Sequence, residues 1–397
     1  MRHLFVFSGP PIMGGIATLM ARMAEWLTAR GDTVQVLVAY RGELGELFPA
    51  QVTITEVGKE FHELCRPLTA RAAVNSLGLA SFDVIKAFDT KSAWIASLLA
   101  VNMHPRPKAL CGNYGLGFFP PRHKPFRAMW PRLHARNVVH SYTPNNLLFM
   151  GEEHRAILKR NYGERYDGIV WPLPVDASRF KEAKRSPKRG QIVSIGRLSP
   201  MKEYNLYMID IVERLAGRDA SVHWHVYGEG LFENQMRESI AARGLTKHIT
   251  LHGRLNYQRF QEALREAWVF VGMGTAAVEA GLCGVPTLVA LAYDRVGKTY
   301  GALQDWSFGN VGDVGQTKPE KMVGSEIAAI LALSDQDYAE ESRLVQEYAL
   351  RYDRDKLMEK YMDIIAGAAP AADLSALHWL SYVHGAFSGV RSLLSRS

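Results

Sequence analysis

The chain has 397 residues, 47% of them hydrophobic and 22% charged, which suits two domains of roughly 150–200 residues and excludes a single ordinary core. No run approaches the roughly 20 apolar residues of a membrane span, and the start MRHLFVFSGPPIMGG runs into a glycine loop, not a signal cleavage site. The net charge of +7 and pI near 9.2 admit acidic company (nucleic acid, anionic lipid or a phosphorylated substrate) or a generally basic surface. Cys65, Cys111 and Cys283 are too far apart for a C-x-x-C metal or redox motif and read as small core residues in a cytoplasmic protein.

Short β-branched runs alternate with helix-period segments, the mark of parallel sheets joined by crossover helices. LFVFS (4–8) reads as a buried strand broken by Gly9-Pro10-Pro11. A helix follows with Ile16, Leu19, Met20, Met23 and Leu27 on one face, closed by Gly31, and VQVLVA (34–39) is the next strand. This βαβ opening carries Gly14 and Gly15 at the helix start. FDVIKAF (82–88), a helix near 91–101, KALCG (108–112) and NVVHS (137–141) continue the pattern.

The stretch 172–191 is polar, charged and proline-bearing, and reads as a linker. A second alternation then begins. It contains IVSIGRL (192–198), VHWHVYG (222–228), a helix with Phe232, Met236 and Ile240, ITLHG (249–253), and a helix around Tyr257, Phe260 and Leu264. It reaches VFVGMGTAAVEAGLCGVPTLV (269–289). The expected organisation is an N-terminal Rossmann-like domain over 1–173, a linker over 174–190, a second Rossmann-like domain over 191–368, and a helical tail over 369–397. In the tail, Leu377, Leu380, Val383 and Phe387 fall near helical spacing, for packing back on the body or lying on a membrane.

In open α/β sheets ligands bind outside the carboxyl ends of strands, so the loops after residues 8, 198, 228, 253 and 271 are the candidate site. In GRLSPMK (196–202), Arg197 and Lys202 stand close together just past a strand end, where a guanidinium and an ammonium can clamp a diphosphate. The GMGT loop (272–275) opens a helix, so its amides can approach an anion. Glu279 lies one turn deeper, where a carboxylate can accept hydrogen bonds from ribose hydroxyls or serve as a helix-start acid. No D-x-D cluster offers to hold a metal, and the two cations can neutralise a leaving diphosphate in its place.

These segments resemble retaining glycosyltransferases of family 4, which have the GT-B fold. GRLSPMKEYNLYM is similar to their G-R-[LF]-x-x-x-K-G segment, PLPVDASRF to N-G-V-D-x-x-x-F, and VYGEG to I-x-G-x-G. VEAGLCGVPTLV is similar to L-E-A-M-A-x-G-x-P-V-V, and PPIMGGIATLMARMAEWLTARGDTV to the N-terminal glycine loop and the helix ending G-H-x-V. The five matches are collinear across both halves.

The resemblance implies an α/β fold of two doubly wound Rossmann-like domains facing each other across a cleft. It implies a metal-independent enzyme without a cofactor that moves a sugar from a nucleotide-diphosphate donor, UDP- or GDP-linked, to a hydroxyl of a glycan or lipid-linked acceptor in cell-surface polysaccharide synthesis. It assigns Arg197 and Lys202 to the donor diphosphate, Glu279 to the ribose, and Gly272, Met273, Gly274 and Thr275 to phosphate or sugar. Gly14 and Gly15 fall at the approach to the donor, Gly196 and Gly228 on the donor loops, and Arg254 where such enzymes read the base.

The chain departs from the family pattern twice. Val271 stands eight positions before Glu279, where the family has its first glutamate, and Cys111 stands where it often has a histidine. Asp89, Cys111, Asn113 and Tyr114 are therefore carried as acceptor or cleft candidates. A non-catalytic nucleotide-sugar binding protein and a GT-B sugar-nucleotide epimerase are the alternatives.

PPRHKPFRAMWPRLHARN (120–137) holds Arg122, Lys124, Arg127, Arg132 and Arg136, with Phe126, Met129 and Trp130 between them and no acid. It suits an anionic membrane surface or a lipid-phosphate acceptor, or else packs its aromatics on the domain while its cations stay solvated. An RNA strip is the weaker fit, and no nucleic-acid partner is expected. The expected location is the cytoplasm, with peripheral contact at the cytoplasmic face of the inner membrane.

Overall fold

The fold rests on two separate parallel sheets. The computed structural model describes residues 1–9, 15–114, 141–163, 166–180, 184–307, 309–315 and 317–371. Gly14, the basic segment with Arg122, Lys124, Arg127, Trp130 and Arg132, and the tail beyond 371 lie outside the described residues.

The first sheet has seven strands: β1 (Arg2–Phe7), β2 (Thr33–Val38), β3 (Thr53–Glu56), β4 (Val84–Ala87), β5 (Lys108–Asn113), β6 (Leu147–Phe149) and β7 (Ile169–Val170). Their order is β3-β2-β1-β4-β5-β6-β7, every pair parallel. Helices cover such a sheet on both faces, which is why β1 and β4 are buried along nearly their whole length. The order reverses between β1 and β4, so the crevice of this sheet opens at the loops after Phe7 and Ala87.

Lys86 sits in the middle of that sheet with no solvent exposure. Its Nζ lies 4.6 Å from the centroid of Tyr361, 4.8 Å from Trp171, 5.5 Å from Phe88 and 5.8 Å from Tyr114. It has no hydrogen-bond partner among the described residues, and burial lowers its pKa to about 7. The four ring faces replace part of the hydration that an ammonium would lose.

The second sheet has five strands: β8 (Gln191–Ile195), β9 (His223–Tyr227), β10 (Ile249–Leu251), β11 (Val269–Gly272) and β12 (Thr287–Val289). Their order is β10-β9-β8-β11-β12, again all parallel. Here the order reverses between β8 and β11. A small antiparallel pair, β13 (Lys298–Thr299) and β14 (Lys321–Met322), lies outside this sheet.

The chain divides into one unit running to Pro174 and resuming at Asp355, and a second spanning Val175–Arg354. Two segments thus sit elsewhere than a linear reading of the chain puts them. Most of the stretch read as a linker packs into the second unit. Val175 and Ala177 are fully buried there, and the Arg185 guanidinium binds the carbonyls of Gly284 and Ala267 and the Tyr338 hydroxyl. The helix Arg354–Gly367, which the sequence assigned to the second domain, packs in the first unit. Trp171 Nε1 donates to Leu357 O at 2.7 Å, and Lys108 Nζ to Ile365 O at 2.6 Å. No helix among the described residues is long and apolar enough to cross a membrane.

Candidate donor site in the second unit

β8 and β11 are adjacent at the point where the strand order of the second sheet reverses, and both loops that follow carry predicted site residues. β8 is followed by Gly196, whose φ of +153° suits glycine. A side chain there would occupy the space filled by the Lys202 ammonium. The following turn, Pro200–Lys202, is closed by Lys202 N donating to Ser199 O at 2.7 Å, and Asn205 Nδ2 holds the Lys202 carbonyl at 3.0 Å. The lysine thus folds back over the strand end.

Arg197 is exposed and Lys202 half-buried. Neither forms an ion pair among the described residues. Burial, and then the charge of Arg197, lower the Lys202 pKa to about 8. Two unpaired cations whose mutual repulsion is already felt make a site that an anion relieves.

Gly228 follows β9 with φ +153°, and a side chain on it would run into the Gly196 carbonyl. That close approach is locked by Gly196 N donating to Tyr227 O at 2.9 Å and Leu198 N to Glu229 O at 3.0 Å. Arg254, past β10, is exposed, with Nη1 3.9 Å from Glu229 Oε1. Gly196, Arg197, Lys202, Gly228 and Arg254 therefore share one edge of one sheet.

The loop after β11 sharpens the expectation for GMGT. Gly274 adopts φ +69°, opens the helix Thr275–Leu282, and donates its own N–H to Val311 O at 2.7 Å. That amide is taken. The groups left to meet a ligand are the first-turn N–H groups at Thr275 and Ala276, which have no partner four residues earlier in the helix. The Met273 side chain is 5% exposed and fills space beside Gly312, so only its backbone belongs to the loop surface. Gly272 and Val271 are buried strand residues, and the Val271 carbonyl accepts from Ser194 Oγ at 2.7 Å. The position that the family fills with glutamate is core in this chain.

Glu279, 3% exposed, accepts a hydrogen bond from Tyr257 Oη at 2.7 Å. The Arg179 guanidinium lies 5.2 Å over the Tyr257 ring. Sequence reasoning missed this partner, because Tyr257 falls in a helix-period run that looks wholly structural.

In the first unit the candidates are tightly engaged. Asp89 caps the helix Thr90–Ala100: its Oδ1 accepts from Ser92 N at 2.8 Å and Ser8 Oγ at 2.6 Å, and its Oδ2 from Ser8 N at 2.9 Å. The carboxylate ties the loop after β1 to the loop after β4. Cys111 is 1% exposed in β5, and burial raises its thiol pKa to about 12. Asn113 and Tyr114 are buried, and Tyr114 stacks on Phe88 at 5.9 Å. Gly15 opens the first helix and is exposed.

Residues 176–315 match the family model of glycosyl transferases group 1. No curated protein matches the chain. Among solved structures, HepE of Anabaena in complex with UDP is 17% identical, with a TM-score of 0.65 and coverage of 92% of this chain and 100% of that one. A glycosyltransferase from Rickettsia africae is 13% identical, TM-score 0.67, covering 92% of this chain and 98% of its own. The sucrose-phosphate synthase of Thermosynechococcus elongatus is 14% identical, TM-score 0.62, covering 93% and 100%. The fold is GT-B, α/β with two Rossmann-like domains, and the matched segment supports a glycosyltransferase.

Proposed function

We propose that the chain is a retaining, metal-independent glycosyltransferase that moves a sugar from a nucleotide-diphosphate sugar to a hydroxyl of a glycan or lipid-linked acceptor. The observation that carries this reading is the Arg197–Lys202 pair, two cations without ion-pair partners among the described residues, at the strand-order reversal and inside the segment that matches glycosyl transferases group 1. Arg197 and Lys202 hold the donor diphosphate and stabilise the charge that develops as it leaves. The first-turn amides at Thr275 and Ala276 face the anion, and Glu279, oriented by Tyr257, accepts from the ribose.

HepE of Anabaena has been solved with UDP and with UDP-glucose, which makes a UDP-linked donor the first choice and a GDP-linked one the second. With no glutamate at position 271, recognition of the sugar falls to the Met273 backbone and the first-turn amides at Thr275 and Ala276, since the Gly272 carbonyl and the Gly274 amide are already bonded. Transfer proceeds by front-face attack, in which the departing phosphate helps deprotonate the acceptor hydroxyl, so no separate general base is required. The lipopolysaccharide outer core galactosyltransferase WaaB shares the fold at 12% identity and favours a place in cell-surface polysaccharide synthesis. Peripheral contact at the cytoplasmic face of the inner membrane is the part of this reading that rests on the basic, aromatic-bearing segment 120–137 alone.

A thermal-shift screen with UDP-, GDP-, ADP- and TDP-sugars tests the reading. The true donor raises the melting temperature by mass action, by about 2.7 kcal/mol of stability at a hundredfold excess over Kd. A flat response to all four, together with no sugar transfer, overturns it.

A further inference from the structure

A groove of about 630 Å³ lies against the helices Tyr204–Ala216 and Val323–Leu331 and the loop at Arg295, wholly within the second unit. Arg214, on its lining, is ten residues beyond Tyr204, which places it about 15 Å along the helix from the turn that carries Lys202. The groove is therefore separate from the Arg197–Lys202 clamp.

Its charges are unbalanced. Three arginines line it, Arg214, Arg218 and Arg295, against one acid, Asp210. Asp210 stands four positions before Arg214, the spacing of a helical ion pair, yet its Oδ1 is bound by Arg243. The same guanidinium takes Glu213 Oε2 at 3.0 Å. The acids next in sequence to the lining are committed as well. Asp294 Oδ2 accepts from Gly297 N at 2.7 Å and Lys298 N at 2.9 Å, Asp219 Oδ1 from Ser221 N at 2.9 Å, and Glu326 pairs with Lys321 Nζ at 3.4 Å. Arg295 Nε donates to Glu203 Oε1 at 3.0 Å. Arg214 and Arg218 form no ion pair among the described residues. The end of a helix favours one cation there, but it does not account for two unpaired guanidiniums on one groove.

The rest of the lining suits a ligand with an apolar part. Val296 is 64% exposed and Met322 38%, an apolar edge left in water. Tyr207, on the wall and 8% exposed, has a hydroxyl without a hydrogen-bond partner among the described residues. Gly324 and Ser325 stand in the first turn of the helix Val323–Leu331, which has no side-chain cap, so their N–H groups have no partner four residues earlier in the helix.

We propose that this groove is a second anion site, taking a phosphate monoester that carries an apolar body. Arg214 and Arg218 hold the phosphate, as two planar forks suited to a dianion. The first-turn amides at Gly324 and Ser325 add donors, and Val296 and Met322 cover the apolar part. The site does not depend on how the donor loops are used.

Calorimetry on the full chain tests it, with dihexanoyl phosphatidate below its micelle concentration as the probe. The wild type binds this probe at least about tenfold more tightly than inorganic phosphate, and does not bind dihexanoyl phosphatidylcholine. Arg214→Ala with Arg218→Ala weakens binding about tenfold or more and leaves the Kd for UDP unchanged. Both arginines are exposed, so the double variant folds, and its apo melting temperature checks this. Val296→Ser weakens the phosphatidate and not inorganic phosphate. Flotation with vesicles of phosphatidate in phosphatidylcholine separates two sources of the ligand. Vesicle binding that the double variant loses assigns a membrane lipid; binding of the monomer alone assigns a soluble phosphate ester.

No binding of the phosphatidate at about 1 mM overturns the inference, as does undiminished binding in the double variant. Inorganic phosphate bound as tightly as the phosphatidate, or displacement of the probe by UDP, overturns it too. If UDP binds nowhere while the phosphatidate binds through Arg214 and Arg218, the donor reading falls and this site stands.

Discussion

Tyr257 Oη donates to Glu279 Oε1 at 2.7 Å, from a tyrosine that is 39% exposed to a carboxylate that is 3% exposed. One end of this bond is therefore at the surface and the other inside, as expected of a pair that aims an acid at a ligand. Removing the hydroxyl in Tyr257→Phe takes away about 1 kcal/mol, so nucleotide affinity drops about fivefold with little change in the melting temperature of the free protein. Glu279→Ala removes the ribose acceptor itself and lowers affinity by about 2 kcal/mol or more. Calorimetry with UDP and with a 2′-deoxy analogue separates the two effects. If Glu279 holds the ribose, the analogue loses less on mutation than UDP does.

Lys202 carries the second expectation. Lys202→Ala leaves the circular dichroism spectrum and the melting curve near those of the wild type but lowers transfer about a hundredfold to a thousandfold, the scale seen when one charge-stabilising donor is removed. Its pH dependence follows from a pKa lowered to about 8 by burial and the charge of Arg197. The protonated form binds the diphosphate, so affinity for UDP is full below this value and falls as pH rises through it. Bound diphosphate favours the ammonium and moves the midpoint upward. An affinity flat between pH 7 and about 9.5 would argue that the ammonium is not a ligand.

Gly228→Ala strikes the frame beneath the clamp. The residue has φ +153°, and the added methyl group meets the Gly196 carbonyl. Strain of this kind costs about 1–3 kcal/mol, and the backbone clash adds to it. The variant should melt lower and lose nucleotide binding, because the loop bearing Arg197 and Lys202 must move off β9. Gly244→Ala is the control: φ is also positive, at +67°, but no atom lies near the new methyl. It loses stability by strain alone and keeps its affinity.

The sequence made these loops legible because the strand runs end at glycines, which the close approach of the loops requires, and because Arg197 and Lys202 follow at once. It hid the rest for particular reasons. β6 and β7 have three and two residues, too short to show a period. The helix Arg354–Gly367 has an ordinary amphipathic pattern that does not say which core it serves; Trp171 and Lys108 decide that through carbonyls far along the chain. Gly274 looked like a phosphate donor in the motif, but its amide is committed to Val311, a partner 37 positions away. Arg295 and Tyr257 belong to no motif, and only the folded chain brings them to Glu203 and Glu279.

Lys86 gives the last prediction, on stability and away from the chemistry. Its amine is fully buried among Tyr361, Trp171, Phe88 and Tyr114, with burial holding its pKa near 7 against an ordinary value of 10.5. The folded pKa is the lower one, so between these values the unfolded chain holds the proton and the folded chain does not. Stability therefore rises with pH from about 7 to about 10.5, at up to about 1.4 kcal/mol per pH unit, and is lost as pH falls through that window. Lys86→Met keeps the length and apolar stem and removes the titrating group. At neutral pH it should be more stable than the wild type by about 1–4 kcal/mol, the scale for replacing a buried charge by a hydrophobic residue. Denaturant melts of both proteins at pH 7.5 and about 9.5 decide it: the wild type gains stability across this interval, and the variant loses most of that gain. Equal slopes in the two proteins would mean that the four rings hold the ammonium as readily as water does.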